Sequence, residues 1–159
     1  MSRHLVRSTT ALMLSVLMPP LSMSAEPPPG WSAAQHEVWR TVVAWNDAFA
    51  RNDTEAFFRF FDPQITVIAP GVPYRVIGIR DDREEFEFSL KRGVSRVGYF
   101  QELDPHVAVH GDAAVVTYYS RGFYGAESGT TRYYKETDVL IRRDDSWKIV
   151  HIHISNPTQ

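Results

Sequence analysis

The segment from Val94 to Ser155 constrains the fold most. Its runs Val94–Glu102, Val107–Val109, Ala113–Tyr124, Thr130–Arg143 and Trp147–Ser155 are rich in Val, Ile, Tyr and Thr, the residues that suit a pleated, half-buried surface. Gly111-Asp112, Glu127-Ser128-Gly129 and Asp144-Asp145 punctuate the later ones. Short polar breaks of this kind connect antiparallel neighbours. The segment before it has a different period. Ser32 offers a helix cap, and Val38, Val42, Trp45 and Phe49 then fall on one helical stripe. Asn52-Asp53 ends this helix and opens a second over Thr54–Phe61, which Asp62-Pro63 stops. Ile65–Ala69 and Tyr74–Ile77 read as short strands. Asp81 and Asp82 start a third helix that runs to Leu90 or Lys91, with Gly93 as its stop. Helices first and long strands later predict an α+β domain, a curved antiparallel sheet with its helices on one face.

The chain's 159 residues suit one domain. Its four Trp, seven Tyr and nine Phe suffice for a large core or an apolar pocket. A net charge of −2 argues against nucleic-acid partners. The absence of cysteine excludes disulfides and thiol chemistry.

Residues 1–25 have the layout of a secretory signal peptide. Arg3, His4 and Arg7 are followed by an apolar run from Ala11 to Met18, then Pro19-Pro20, and small residues lead up to Ala25. The run falls short of the roughly 20 residues of a membrane span. Export to the periplasm or beyond is expected, with no stable membrane anchor after cleavage. Residues 26–33 then form a Pro-rich leader and 34–157 the domain.

If Asp144-Asp145 is a two-residue turn, Arg143 pairs with Ser146 and Leu140 with Ile149. Asp138 then faces His151, and Glu136 faces His153. A carboxylate beside an imidazole orients its tautomer and makes it a better base. The same pairs could instead stabilise the outer face or a dimer interface, and a longer turn would shift the register and dissolve them. His151 and His153 point to one side of a strand, as metal ligands would, but no third His is placed beside them. No metal and no cofactor are expected.

The last strand, Trp147-Lys148-Ile149-Val150-His151-Ile152-His153-Ile154-Ser155, carries a resemblance. With Asn52-Asp53, Pro105-His106-Val107, Gly111-Asp112-Ala113, Lys135-Glu136-Thr137 and Arg142-Arg143-Asp144, it resembles the nuclear transport factor 2-like superfamily. Within that superfamily it is most similar to the association domain of calcium/calmodulin-dependent protein kinase II and its bacterial relatives. SnoaL-like cyclases and ketosteroid isomerase-like proteins are grouped with them. The resemblance runs from about Gln35 to Pro157 and implies a cone-shaped sheet around helices, an internal pocket, and a dimer or ring built on the outer face.

Arginines line the pocket of the kinase association domain. By the strand matches, two of those positions are Ser120 and Ile154 here, so a small apolar ligand is expected rather than an anion. By the same resemblance Ile154 faces the pocket, which puts Val150 and Ile152 inward and His151 and His153 on the opposite face unless a bulge intervenes. Trp45 and Phe49, with Tyr74 near the mouth, Tyr99, Ser120, Tyr133 and Ile154, are the candidate ligand-binding residues. The family's isomerases pair an acid base with Tyr or Asp donors. That makes Tyr118, His153, Glu136 and Asp138 the candidate catalytic residues. Two functions remain open: a cofactor-independent isomerase, cyclase or dehydratase, and a non-catalytic homodimeric or protein-interaction domain.

Overall fold

The computed structural model describes residues 25–93, 97–125 and 129–157. The signal segment before Ala25, the first residues of the Val94–Glu102 run and Glu127-Ser128 of one predicted turn lie outside them.

Helix α1 spans Ala33–Ala50. Ser32 and Gln35 form a reciprocal cap, with the Ser32 N–H donating to Gln35 Oε1 at 2.8 Å. The Gln35 amide also donates to the Val107 carbonyl at 2.8 Å, so the cap ties the helix to the sheet. The predicted stripe is the buried one: Val38, Val42 and Trp45 lie in the core. Asn46 is buried among them, a polar residue whose partner is described below.

Asn52 ends α1 in the left-handed region at φ 55°. Its side-chain amide exchanges two 3.1 Å hydrogen bonds with the backbone of Val97, anchoring the first described residue of β3. Asp53 caps α2, Thr54–Phe58. This helix stops three residues before the expected end. Phe61 already belongs to β1, Phe61–Ile68, because the preceding Phe60 carbonyl accepts from Ile149 N at 2.9 Å and draws the chain into the sheet. Pro63 falls where the β1–β6 register is irregular, a position that needs no ladder donor. β2 is Val76–Ile77, and α3 is Ile79–Lys91.

Strands β3 (Val97–His110), β4 (Ala113–Tyr124), β5 (Thr130–Arg143) and β6 (Ser146–Ser155) complete a six-stranded sheet of order β2-β1-β6-β5-β4-β3. Only β1 and β6 are parallel. Glu102 and Val107, expected on two strands, share the one strand β3. At Asp104-Pro105 the register slips by one residue, from Leu103 opposite Tyr119 to His106 opposite Thr117, with Asp104 at φ 51°. The slip lets Phe100, Glu102 and Val107 all point inward, and all are buried.

A second bulge corrects the predicted hairpin. Arg143 pairs with Ser146 and Leu140 with Ile149, as the turn requires, but Val150 is then skipped. Val139 lies opposite His151, Asp138 opposite Ile152, Thr137 opposite His153 and Glu136 opposite Ile154. Neither expected carboxylate–imidazole pair forms. The extra residue lies on β6, so Glu136 and Asp138 keep the phase of Leu140 on the helix-covered face, where both are buried, while His153 turns to the other side and is exposed. His151 instead meets Thr66 of β1, Nδ1 to Oγ1 at 2.7 Å. Among the described residues, no helix is long and apolar enough to cross a membrane.

Candidate functional site

The concave face of the sheet, α1 and α3 enclose a cavity of about 430 Å³. Its walls are aromatic: Trp45 and Phe49 from α1, Phe57 from α2, Phe86 from α3, Phe100 from β3 and Tyr134 from β5. Phe57 and Phe86 stack at 4.8 Å with their planes 9° apart, joining α3 to the core although no residue of α3 is fully buried. Tyr124 closes the β4 side, and Ile152 and Ile154 the β6 side. A Cβ on Gly122 would lie 2.7 Å from the Tyr124 ring, so the glycine lets that ring fold back along its own strand.

At the inner wall the apolar lining is interrupted by Glu136, which belongs to a buried polar group. The Tyr118 hydroxyl donates to Glu136 Oε2 at 2.9 Å and accepts from the Asn46 amide at 3.2 Å. Ser120, Glu102 and Asp138 surround this chain of bonds on the same face and are completely buried. Burial pushes the Glu136 carboxyl up to about 7, against the pull of the Ser120 and Tyr118 hydroxyls and with help from the negative field of Glu102. Burial, with Glu136 alongside, holds Asp138 well above the carboxylate range. Neither Asp138 oxygen completes a hydrogen bond. The Tyr118 hydroxyl, already engaged with Glu136, offsets only part of its burial cost. Tyr118 is raised as well, chiefly by burial and then by Asp138 and Glu136, and stays a phenol and a donor.

Of the residues expected to carry chemistry, Tyr118, Glu136 and Asp138 meet in this group, whereas His153 lies on the other face of the sheet. Only Glu136 of these four reaches the cavity wall; Tyr118 and Asp138 sit behind it. Of the expected ligand contacts, Trp45, Phe49 and Ile154 line the cavity, and Ser120 is buried beside Glu136. Tyr74, Tyr99 and Tyr133 do not line it. Tyr74 is 56% exposed and hydrogen-bonds Glu85 on the outside of α3. Tyr133 is 50% exposed, and its neighbour Tyr134 points inward. Tyr99 gives way to Phe100 in the same manner. The inward phase of β4 already passed through Tyr118 and Ser120; two further steps of two residues reach Gly122 and Tyr124. Asp82 and Glu85 of α3 complete the acidic part of the lining. Burial, then Glu85, raises the half-buried Asp82 to about 7. Among the described residues, no three His, Cys, Asp or Glu side chains gather to hold a metal ion.

A sheet wrapped over its own helices around an internal cavity defines a nuclear transport factor 2-like protein. The chain belongs to the SnoaL-like domain family, whose model matches residues 38–159. The delta subunit of rabbit (Oryctolagus cuniculus) calcium/calmodulin-dependent protein kinase type II is 31% identical over 131 residues, covering 79% of this chain but only 24% of that protein. The hub of the same kinase from S. rosetta superposes with a TM-score of 0.67 at 25% identity, over 79% of this chain and 98% of the hub. A ketosteroid isomerase-like protein from Erwinia carotovora atroseptica gives 0.68 at 18% identity, over 81% and 100%, a likeness of fold.

Proposed function

We propose that this chain is an exported small-molecule protein whose Glu136 exchanges protons with a ligand held in the aromatic cavity. The observation that carries the reading is the position of Glu136. It is the deep acid of the cavity wall, its proton is balanced near neutrality, and Tyr118 fixes its carboxyl from behind. A group with a value near the working pH can both accept and return a proton. With an enolisable ligand, a C–H bond next to a carbonyl breaks and the proton goes to the Glu136 carboxylate. The electron pair moves onto the carbonyl oxygen; where the ligand carries a C=C bond conjugated with that enolate, return of the proton from Glu136 to its far carbon re-forms the carbonyl and completes an isomerisation. Tyr124 lines the cavity as a neutral phenol, kept so mainly by burial, and supplies a hydrogen bond for the developing oxyanion. Tyr118 is then a positioning residue. Solvent-deuterium exchange into α-protons of an aryl ketone tests this. Exchange that requires protein and is lost in Glu136→Gln supports it, and exchange no faster than in buffer removes it.

A second reading, self-association, is favoured by the convex face of the sheet, where Val115, Tyr119 and Tyr133 are 37%, 48% and 50% exposed. Lone exposed apolar residues are ordinary, but three on adjacent strands of one face are suited to a homodimer or larger ring. Kinase hub relatives are consistent with such an assembly. Sedimentation velocity distinguishes monomer, dimer and ring, and intact mass of the protein from its natural host tests cleavage near Ala25.

A further inference from the structure

Two carboxyls reach the cavity from different walls. Glu136 comes from β5 in the sheet, and Asp82 comes from the first turn of α3. Helix α3 packs against β1 and β2, and β6 separates β1 from β5. A ligand in the cavity therefore meets one acid from the sheet and another from the helix. The two are held differently. Tyr118 fixes Glu136 from behind, whereas no hydrogen bond or ion pair holds the Asp82 carboxyl among the described residues. Its neighbour in the lining, Glu85, already accepts from the Tyr74 hydroxyl.

Other ionisable groups of the lining are poor proton carriers. Arg92 and Arg132 keep their protons at any working pH. The Tyr124 phenol is raised, chiefly by burial, and keeps its own. Burial brings both Asp82 and Glu136 to about 7. Two acids that titrate together near neutrality leave a sizeable share of molecules with one ionised and the other protonated. When Asp82 is the ionised one, its charge lies in the first turn of a helix, where negative charge is favoured.

We infer that Asp82 is a second proton-exchanging residue, and that the cavity inverts a stereocentre next to the carbonyl of its ligand. The inference rests on the proposal that Glu136 exchanges protons with an enolisable ligand, and adds epimerisation to it. The Glu136 carboxylate takes the α-proton from the side of the sheet. The C–H electron pair becomes the C=C bond of the enolate, and the carbonyl π pair moves onto oxygen, where Tyr124 donates a hydrogen bond. Asp82, as the acid, then gives its proton to the same carbon from the side of the helix. The carbonyl re-forms, the centre is inverted, and Glu136 is left as the acid and Asp82 as the carboxylate. No co-reactant is consumed, because the opposite enantiomer is converted by the same steps in reverse.

Inversion of either enantiomer needs one acid ionised and the other protonated, so its rate should peak at about pH 7 and fall on both sides. Asp82 is faced by Glu85 of its own helix, while β1 and β2 contribute the apolar Val67 and Val76. From α2, Glu55 is paired with Arg83. Around Glu136 lie Asn46 of α1, Glu102 of β3, Tyr118, Ser120 and Tyr124 of β4, and Asp138 of β5. Strand β6 adds the apolar Ile152 and Ile154.

The test incubates each enantiomer of 2-methyl-1-tetralone, an aryl ketone with one α-proton, with the intact protein in heavy water. Chiral chromatography follows configuration, and mass spectrometry follows deuterium. Both enantiomers should be converted to the racemate, with deuterium appearing in the inverted product. Asp82→Asn should slow inversion by at least about a hundredfold, and any exchange left should keep configuration. Asp82→Glu keeps an acid on that wall and should restore inversion, which a purely structural aspartate would not require. Exchange with configuration kept in the wild-type protein overturns the inference and leaves the reading of Glu136 intact. Inversion as fast in Asp82→Asn as in the wild type overturns it as well. If neither exchange nor inversion is faster than in buffer, both readings fall.

Discussion

The Tyr118 hydroxyl lies 2.9 Å from Glu136 Oε2, and this contact joins β4 to β5. The same oxygen accepts from Asn46 on the buried face of α1. Asn46 would weaken an apolar helix stripe if it had no partner. Here it sets the direction of the phenol, and the phenol sets the direction of the acid. The packing of α1 is therefore coupled to the acid that faces the cavity.

Replacing Tyr118 with Phe should show this coupling. The ring stays in the core, but Glu136 loses a donor that favours its charged form, so its carboxyl should titrate above the present value of about 7. Asn46 loses its acceptor, and the protein should lose about 1 to 2 kcal/mol of stability. Carboxyl-carbon NMR gives the first quantity and denaturant unfolding the second. A Glu136 titration that stays put in Tyr118→Phe would mean that the hydroxyl does not control the acid.

The buried acids also fix how stability depends on pH. Glu136 releases its proton at 4.5 in the unfolded chain and at about 7 in the folded one. Between those values the folded state binds more protons, so stability decreases as pH rises. The contribution is complete below about 4.5 and is lost by about 7, a change on the order of 3 kcal/mol. Asp138 is shifted in the same direction and adds to the slope. Glu37, lowered by its hydrogen bond to Arg142, acts in the opposite sense, but it is exposed and screened. Urea midpoints should therefore climb from pH 7.5 to pH 5, and the double variant Glu136→Gln with Asp138→Asn should reduce the climb to the share that Asp82, also raised to about 7, contributes. A wild-type midpoint that falls steadily over this range would contradict the placement of these acids.

The extents of β4 and β5 were legible because Gly111-Asp112 and Asp144-Asp145 bracket long β-branched runs, and turn chemistry is local. The two bulges were not. Val150 is one β-branched residue among others, and nothing in its type shows that the ladder skips it. Asp104-Pro105 looks like a loop between strands and is a slip within one. Each bulge changes which side every later residue faces. That single phase error explains why the carboxylates Glu136 and Asp138 were matched with His153 and His151. Tyr99 precedes the slip at Asp104-Pro105, so its phase could not be carried back from Val107, whereas the outward phase of Tyr133 follows from the unbroken alternation of β5 through Tyr134, Glu136 and Asp138. The shared inward face of Tyr118 and Ser120 is legible because β4, which has no bulge of its own, keeps strict alternation from Ala114 to Tyr124. Asn46 gave no signal: a lone Asn on a helix shows its purpose only once its acceptor is placed.

Gly122 offers a test of the cavity wall that leaves every ionisable group in place. A methyl group at this position would collide with the Tyr124 ring at 2.7 Å. The ring is the free end of a side chain, so it should swing away rather than unfold the strand. Gly122→Ala should then change stability by no more than about 1 kcal/mol, since the backbone here has ordinary strand geometry. Ligand affinity should change severalfold, because Tyr124 forms one side of the cavity. A crystal structure of Gly122→Ala with Tyr124 unmoved would show that the glycine has no part in shaping the site.

The convex face can be perturbed separately from the cavity, because strand alternation places Tyr119 and Tyr118 on opposite sides of β4. Tyr119 is 48% exposed beside Val115 and across from Lys135 on β5. If the outer face is the self-association surface, Tyr119→Glu places a charge at a position that assembly would bury, and an unpaired buried charge is costly. Sedimentation velocity should then report a shift to monomer by at least about tenfold in dissociation constant. The Glu136 titration and the thermal midpoint of the monomer should be preserved. Retention of the wild-type assembly in Tyr119→Glu would move the interface away from this face. A monomer whose Glu136 titration has shifted would show instead that assembly and the cavity are linked through β4.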